Sequence, residues 1–137
     1  MDRIIEVFID GASKGNPGPA GIGVLILDRN KHEICKISEK IEDTTNNVAE
    51  YKALLRAITE CKKLNLLSVK FYTDSQLLAR QINGMYKIKD QRLKSLYIKI
   101  KGKLLGFKSW EITHIPREQN VAADKLANEP FKKTKNK

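Results

Sequence analysis

Residues Ile4 to Gly18 read IIEVFIDGASKGNPG, and the fold turns on how this stretch is read. Ile5, Val7 and Ile9 alternate with Glu6, Phe8 and Asp10, the period of two expected of a β-strand. Phe8 makes the second face apolar as well, so both faces are expected to be covered and the strand to be central. Asp10 falls on the Phe8 face, as the strand's last residue. Gly11, Gly15, Asn16, Pro17, Gly18 and Pro19 then break regular structure and predict a tight turn. A carboxylate on a rigid strand beside a glycine-rich turn is either a turn former or a metal ligand. The rest of the chain decides between the two.

Outward from this stretch, residues Ala20 to Asp28 predict a second buried strand, and Glu33 to Lys40 a third at or near an edge. The short turns between them imply an antiparallel meander. Ala49, Ala53, Leu54, Ala57, Ile58 and Cys61 then recur at helical spacing behind a Thr44–Asn47 run rich in cap residues. A strand over Leu67–Thr73 is followed by a short helix, QLLARQI, ending at Asn83-Gly84. Asp90–Leu105 predicts a second amphipathic helix with a basic outer face. Ser109–Ile115 predicts the fifth strand, and VAADKLAN the last helix. The order βββαβααβα contains β–α–β crossovers, which favour parallel pairing. The expected fold is α/β, a mixed five-stranded sheet flanked by helices. One domain is expected over residues 1–130, with a basic tail without regular structure over 131–137.

The chain has 137 residues, 26 Lys and Arg against 16 Asp and Glu, and a net charge of +10. That sign favours a polyanionic partner such as nucleic acid. The bias is strongest between Arg80 and Lys108, where Asp90 is the single acid among many lysines and arginines. No apolar run is long enough to span a bilayer, and MDRIIEV lacks the build of a signal peptide, so no membrane partner is expected. Cys35 and Cys61 are far apart in sequence and outside any CxxC motif, which fits free thiols in a reducing cytoplasm.

Four acids stand out. Asp10 and Asp74 each stand at the carboxyl end of a strand; Glu50 and Asp124 each lie on a helix able to face the same sheet edge, where α/β sites form. Asp74 as a helix N-cap is the plain alternative. Carboxylates gathered closely repel unless a cation joins them, and oxygen donors at that density suit Mg²⁺ or Mn²⁺ rather than zinc. Paired ions of this kind serve phosphodiester hydrolysis. There is no GxSxG, GxxxxGK[ST] or HExxH, and the glycines of GASKGNPGPAGIG do not match GxGxxG.

FIDGASKGNPGPAG, TTNNVAEYKAL, YTDSQ and HIPREQNVAADKLA together resemble type 1 ribonuclease H, from about Ile4 to Asn128 and in the family's order. The resemblance implies the ribonuclease H-like fold with strand order 3-2-1-4-5. It implies hydrolysis of the RNA strand of an RNA–DNA hybrid to 5′-phosphate and 3′-hydroxyl ends. Asp10, Glu50, Asp74 and Asp124 carry over as ligands of two Mg²⁺ ions, with Mn²⁺ as a substitute and Asp10 bridging both. His114, ten residues before Asp124, carries over as a proton-transfer or product-release residue. Asn16, Asn47 and Gln76 match minor-groove contacts, Thr45 and Asn46 a DNA-phosphate pocket, and Ser13 a variable turn position. The basic, Trp-rich protrusion of many bacterial members is absent here; Lys87, Lys89 and the lysine-rich helix are expected to supply part of its charge. The expected partner is an RNA–DNA hybrid, with double-stranded RNA bound more weakly and the protein acting as a monomer. A non-catalytic nucleic-acid-binding module and a DNA-directed nuclease on the same fold are the alternatives.

Overall fold

The structure, a computed structural model, describes residues 4–85 and 87–132. Five strands, β1 (Ile5–Ser13), β2 (Gly18–Leu27), β3 (Glu33–Thr44), β4 (Ser68–Thr73) and β5 (Ser109–His114), form one mixed sheet in the order β3-β2-β1-β4-β5. The meander β1-β2-β3 is antiparallel; β4 pairs parallel to β1, and β5 parallel to β4. Four helices cover the sheet: α1 (Asn46–Lys63), α2 (Gln76–Ile82), α3 (Gln91–Leu104) and α4 (Val121–Asn128). None of the described helices is long and apolar enough to cross a membrane.

β1 is central, as its two apolar faces require, but it does not stop at Asp10. It continues to Ser13, because β2 stays paired with it through Asp10–Gly23, Gly11–Ile22 and Ser13–Ala20. What ends near Asp10 is the parallel ladder with β4, whose last rung is Ile9–Thr73. Asp10 therefore sits on a strand still held on one side and released on the other. The turn itself is confined to the residues after Ser13. Gly15 takes φ +139°, a conformation that L side chains rarely adopt, and the Asn16–Pro17 peptide is cis.

Ile5, Val7 and Ile9 join Tyr51, Leu54 and Ile58 of α1 in one apolar core, closed further by Phe71, Ile100 and Leu104. Two close approaches set the helices. A Cβ on Gly11 would lie 2.3 Å from the carbonyl carbon of Ala49, so only glycine lets the first turn of α1 rest on β1. On the other face, a Cβ on Gly23 would lie 2.3 Å from the Ala123 carbonyl oxygen; α4 meets that strand through Ala123 and Ala127, both fully buried, and the Leu126 Cβ. These approaches bring the two helices carrying Glu50 and Asp124 against β1 and β2.

The chain leaves α4 through a 3-10 turn, Glu129–Phe131. The boundary expected after residue 130 falls inside this turn. Phe131 is half-buried, its ring lies near Gly21, and the Lys14 ammonium stands 5.2 Å from the ring centre. Residues 133–137 of the expected tail lie outside the described residues.

Candidate active site

Each acid reaches the site for a local reason. Asp10 is carried by β1 and is 4% exposed. Glu50 is held by the backbone N–H of Gly11, which donates to its Oε1 at 2.9 Å; the missing Cβ at Gly11 makes that bond reachable. Asp74 follows β4 directly. It does not cap α2: Ser75 does, its hydroxyl accepting from Leu78 N at 3.1 Å, so the Asp74 carboxylate is left for the site. Asp124 stands in the first turn of α4, where Asn128 Nδ2 donates to its carbonyl at 2.9 Å and its Oδ1 at 3.3 Å.

One carboxylate oxygen each of Asp10, Glu50 and Asp74 lies within 4.8 Å of the others, and Asp124 is near enough to raise the Asp10 carboxyl further. All four line one open cavity of about 440 Å³, with Ser13, Asn46, Arg117 and Asn128 on its walls. The electrostatics follow from the crowding. Burial, then the charges of Glu50 and Asp74, push the Asp10 carboxyl from 3.8 up to about 10. Burial, then the charge of Asp74, push Glu50 up to about 8, against the opposing pull of the Gly11 N–H, Asp10 and Arg117. Asp74 is raised by burial, tempered by a hydrogen bond from Asn120 and by the Arg117 guanidinium. Without a cation the cluster therefore keeps protons at neutral pH. The donors present, hard carboxylate oxygens with no sulfur or imidazole among them, fit a hard divalent cation, which would displace those protons.

The residues matched to substrate contacts divide into two groups. Ser13, Asn16, Thr45 and Asn46 form one hydrogen-bonded rim: Ser13 N donates to Asn46 Oδ1 at 2.8 Å and Asn46 N to Asn16 Oδ1 at 3.0 Å. The Ser13 hydroxyl donates to Thr44 O at 2.7 Å. Thr45 is the N-cap of α1, its Oγ1 accepting from Val48 N at 3.3 Å. Asn47 and Gln76 are exposed on the first turns of α1 and α2. Lys87 and Lys89 stand apart, exposed on the connection into α3; Lys87 shares a separate shallow pocket with Gly84, Ile88, Lys94 and Tyr97. His114 is exposed at the end of β5, level with Thr73, and does not line the carboxylate cavity.

Two residues of the PREQN loop were not singled out from the sequence. Arg117, in the 3-10 turn Arg117–Gln119, is the cation on the cavity wall. Asn120 is 1% exposed beneath it. A polar loop with Pro and Asn reads as solvated surface; the one available signal was an Asn four residues before Asp124, at helical spacing from it.

The model of the family described as "Reverse transcriptase-like" matches residues 8–130. The chain is 36% identical over 125 residues to ribonuclease HI of Halobacterium salinarum, covering 91% of this chain and 63% of that protein. It therefore spans somewhat less than two thirds of that relative's length. The crystal structure of RNase H1 from the same archaeon superposes with a TM-score of 0.91 at 35% identity, covering 93% of this chain and 97% of that one. Ribonuclease H of Helicobacter pylori is 33% identical over 141 residues, with 96% of each chain covered. LC11-RNase H1, solved in complex with an RNA/DNA hybrid, superposes with a TM-score of 0.87 at 42% identity, covering 91% of this chain and 94% of that one.

Proposed function

The chain belongs to the type 1 ribonuclease H family, and from that premise we propose that it is an endonuclease hydrolysing the RNA strand of RNA–DNA hybrids, leaving 5′-phosphate and 3′-hydroxyl ends. The observation that carries this reading is the gathering of Asp10, Glu50 and Asp74 oxygens within 4.8 Å, with Asp124 lining the same open cavity. Family membership brings dependence on a divalent metal. We assign it to two Mg²⁺ ions, replaceable by Mn²⁺, which Asp10, Glu50, Asp74 and Asp124 would hold. Bound there, such ions would supply Lewis-acid activation of a water and neutralise charge on the leaving oxygen.

The chain's own residues do the rest. Arg117, facing Glu50 and Asp74 across the cavity, offers a guanidinium to a phosphate of the RNA strand. Asn16 and Asn46 use their carbonyl oxygens within the rim, which leaves each NH₂ free to donate to a sugar 2′-hydroxyl or a neighbouring phosphate. Asn47 and Gln76 extend this amide-lined surface, and the N-terminal turn of α1 with Thr45 and Ser13 receives a DNA-strand phosphate. Lys87, Lys89 and the lysines of α3 bind the hybrid's backbone further out, in the role of the absent protrusion. His114, exposed at the end of β5, moves a proton or eases product release. We take the protein to act as a monomer, and the free thiols Cys35 and Cys61 suit a reducing, cytoplasmic setting.

Matched RNA–DNA hybrid, double-stranded RNA and double-stranded DNA, each labelled on either strand, test the proposal side by side in Mg²⁺, Mn²⁺ and EDTA. The expected result is metal-dependent cleavage of the hybrid's RNA strand, with double-stranded RNA cut more slowly and DNA untouched. Binding of the hybrid without cleavage in either metal would instead identify a non-catalytic module.

A further inference from the structure

We propose that Asn120 is the positioning residue of the metal site, tying Asp74 to the backbone of β1 beside Asp10 so that the carboxylates keep the spacing a divalent cation needs. This rests on the metal-binding reading above.

Asn120 occupies the N-cap position of α4, where an Asn side chain ordinarily accepts from a helix N–H. It makes no such bond. Its side chain is instead turned into the protein, at 1% exposure. Nδ2 donates to the carbonyl of Ile9 at 2.9 Å, and the same side chain lies close enough to the Asp74 carboxylate to favour its charged form. An amide NH₂ has two hydrogens: one serves Ile9, and the second is available to Asp74. The main-chain carbonyl of Asn120 accepts from Asp124 N at 3.0 Å, the first helical bond of α4. One residue thus touches the backbone before Asp10, the side chain of Asp74 and the backbone of Asp124.

The location gives the contact its purpose. The parallel ladder between β1 and β4 ends at Ile9–Thr73, one residue short of both Asp10 and Asp74. Beyond that rung no backbone pairing fixes the distance between the two acids. The Asn120 amide spans this gap. A donor bonded to β1 and set beside Asp74 fixes the separation that the ladder leaves open. Its Oδ1 is buried and has no partner among the described residues, an energetic cost that a cap or a solvent-facing rotamer would avoid. The donor side of the amide is what the position exploits.

Two variants separate positioning from simple structural support. Asn120→Ala removes the donors and leaves a cavity; Asn120→Leu removes the donors and keeps the volume. Isothermal titration of Mn²⁺ into the substrate-free proteins should show affinity weakened roughly 10- to 100-fold in both, the range found when groups that orient metal ligands are lost. The Mg²⁺ midpoint for hybrid cleavage should shift by the same factor, with KM for hybrid at saturating metal unchanged. Ile100→Val, a core change in α3 far from the site, should lower thermal stability without moving either metal midpoint. Variants that lose stability but bind Mn²⁺ as wild type does would overturn the role of Asn120 alone. A wild-type protein that binds no Mn²⁺ would overturn the metal site and this inference together.

Discussion

Replacing Asp10 by Asn should make the metal-free protein more stable at neutral and alkaline pH while removing its chemistry. Asp10 is 4% exposed, and burial followed by the charges of Glu50 and Asp74 raises its carboxyl from 3.8 to about 10. Between those values the native protein holds a proton that the unfolded chain has released. Stability is therefore full below the unfolded value and falls as pH rises toward the native one. One such group changes stability by about 1.4 kcal/mol per pH unit, which by pH 7 reaches about 4 kcal/mol as an upper bound. Glu50 and Asp74 share the same protons and relax when Asp10 is gone, so a net gain of about 2–3 kcal/mol is expected for Asp10→Asn at pH 7. In a domain of 137 residues this is a rise in Tm of roughly 6–15 °C. Melts of wild type and variant in EDTA at several pH values read the difference; it should shrink to nothing near pH 4 and widen toward pH 8. Excess Mg²⁺ should close most of this gap. A ligand at a hundred times its Kd stabilises by about 2.7 kcal/mol, and wild type should gain far more of this than the variant. A gap in EDTA that is the same at pH 4.5 and pH 8 would refute the electrostatic reasoning, as would a variant less stable than wild type throughout.

Gly23→Ala should lift α4 from β2, because the added Cβ meets the Ala123 carbonyl oxygen at 2.3 Å; a loss of about 2–3 kcal/mol in urea melts and a large fall in cleavage rate are expected, and near-native activity would refute the close-approach argument. Thr45→Ala removes the α1 cap and should cost about 1 kcal/mol, whereas Thr45→Ser should restore most of it; equal loss in both would show that the hydroxyl is not the cap. His114→Ala should slow turnover without abolishing it and leave stability within about 0.5 kcal/mol, since the side chain is exposed; an unchanged single- and multiple-turnover rate would make His114 a bystander.

The framework of this fold was legible because its signals are local. Alternation in Ile5–Asp10 marked β1 as a strand with two covered faces, and the Ala49–Cys61 stripe marked α1 together with its cap. Register was not legible. Gly11 read as the end of β1, yet the strand runs on to Ser13; there the glycine serves the contact with α1 rather than a turn. Asp74 read as a plain cap for α2, and only the folded structure shows Ser75 taking that role and releasing Asp74 to the site. Asn120 and Arg117 passed as loop residues because their partners lie far away in sequence, at Ile9, Asp74 and Glu50. The four acids themselves stood out by position, but their convergence is a property of the sheet order, which joins β1 to β4 across the whole of β2, β3 and α1.

The central claim is that these gathered carboxylates cut RNA paired to DNA. The most direct test is single-turnover cleavage of a hybrid labelled uniformly in its RNA strand, with Mg²⁺, by wild type and by Asp10→Asn shown by its melt to be folded. Wild type should cleave the RNA to fragments bearing 5′-phosphates, and the variant should be slower by at least about a thousandfold, the scale of losing a charge that acts at the reacting centre. Cleavage by Asp10→Asn at a rate close to wild type would contradict the account.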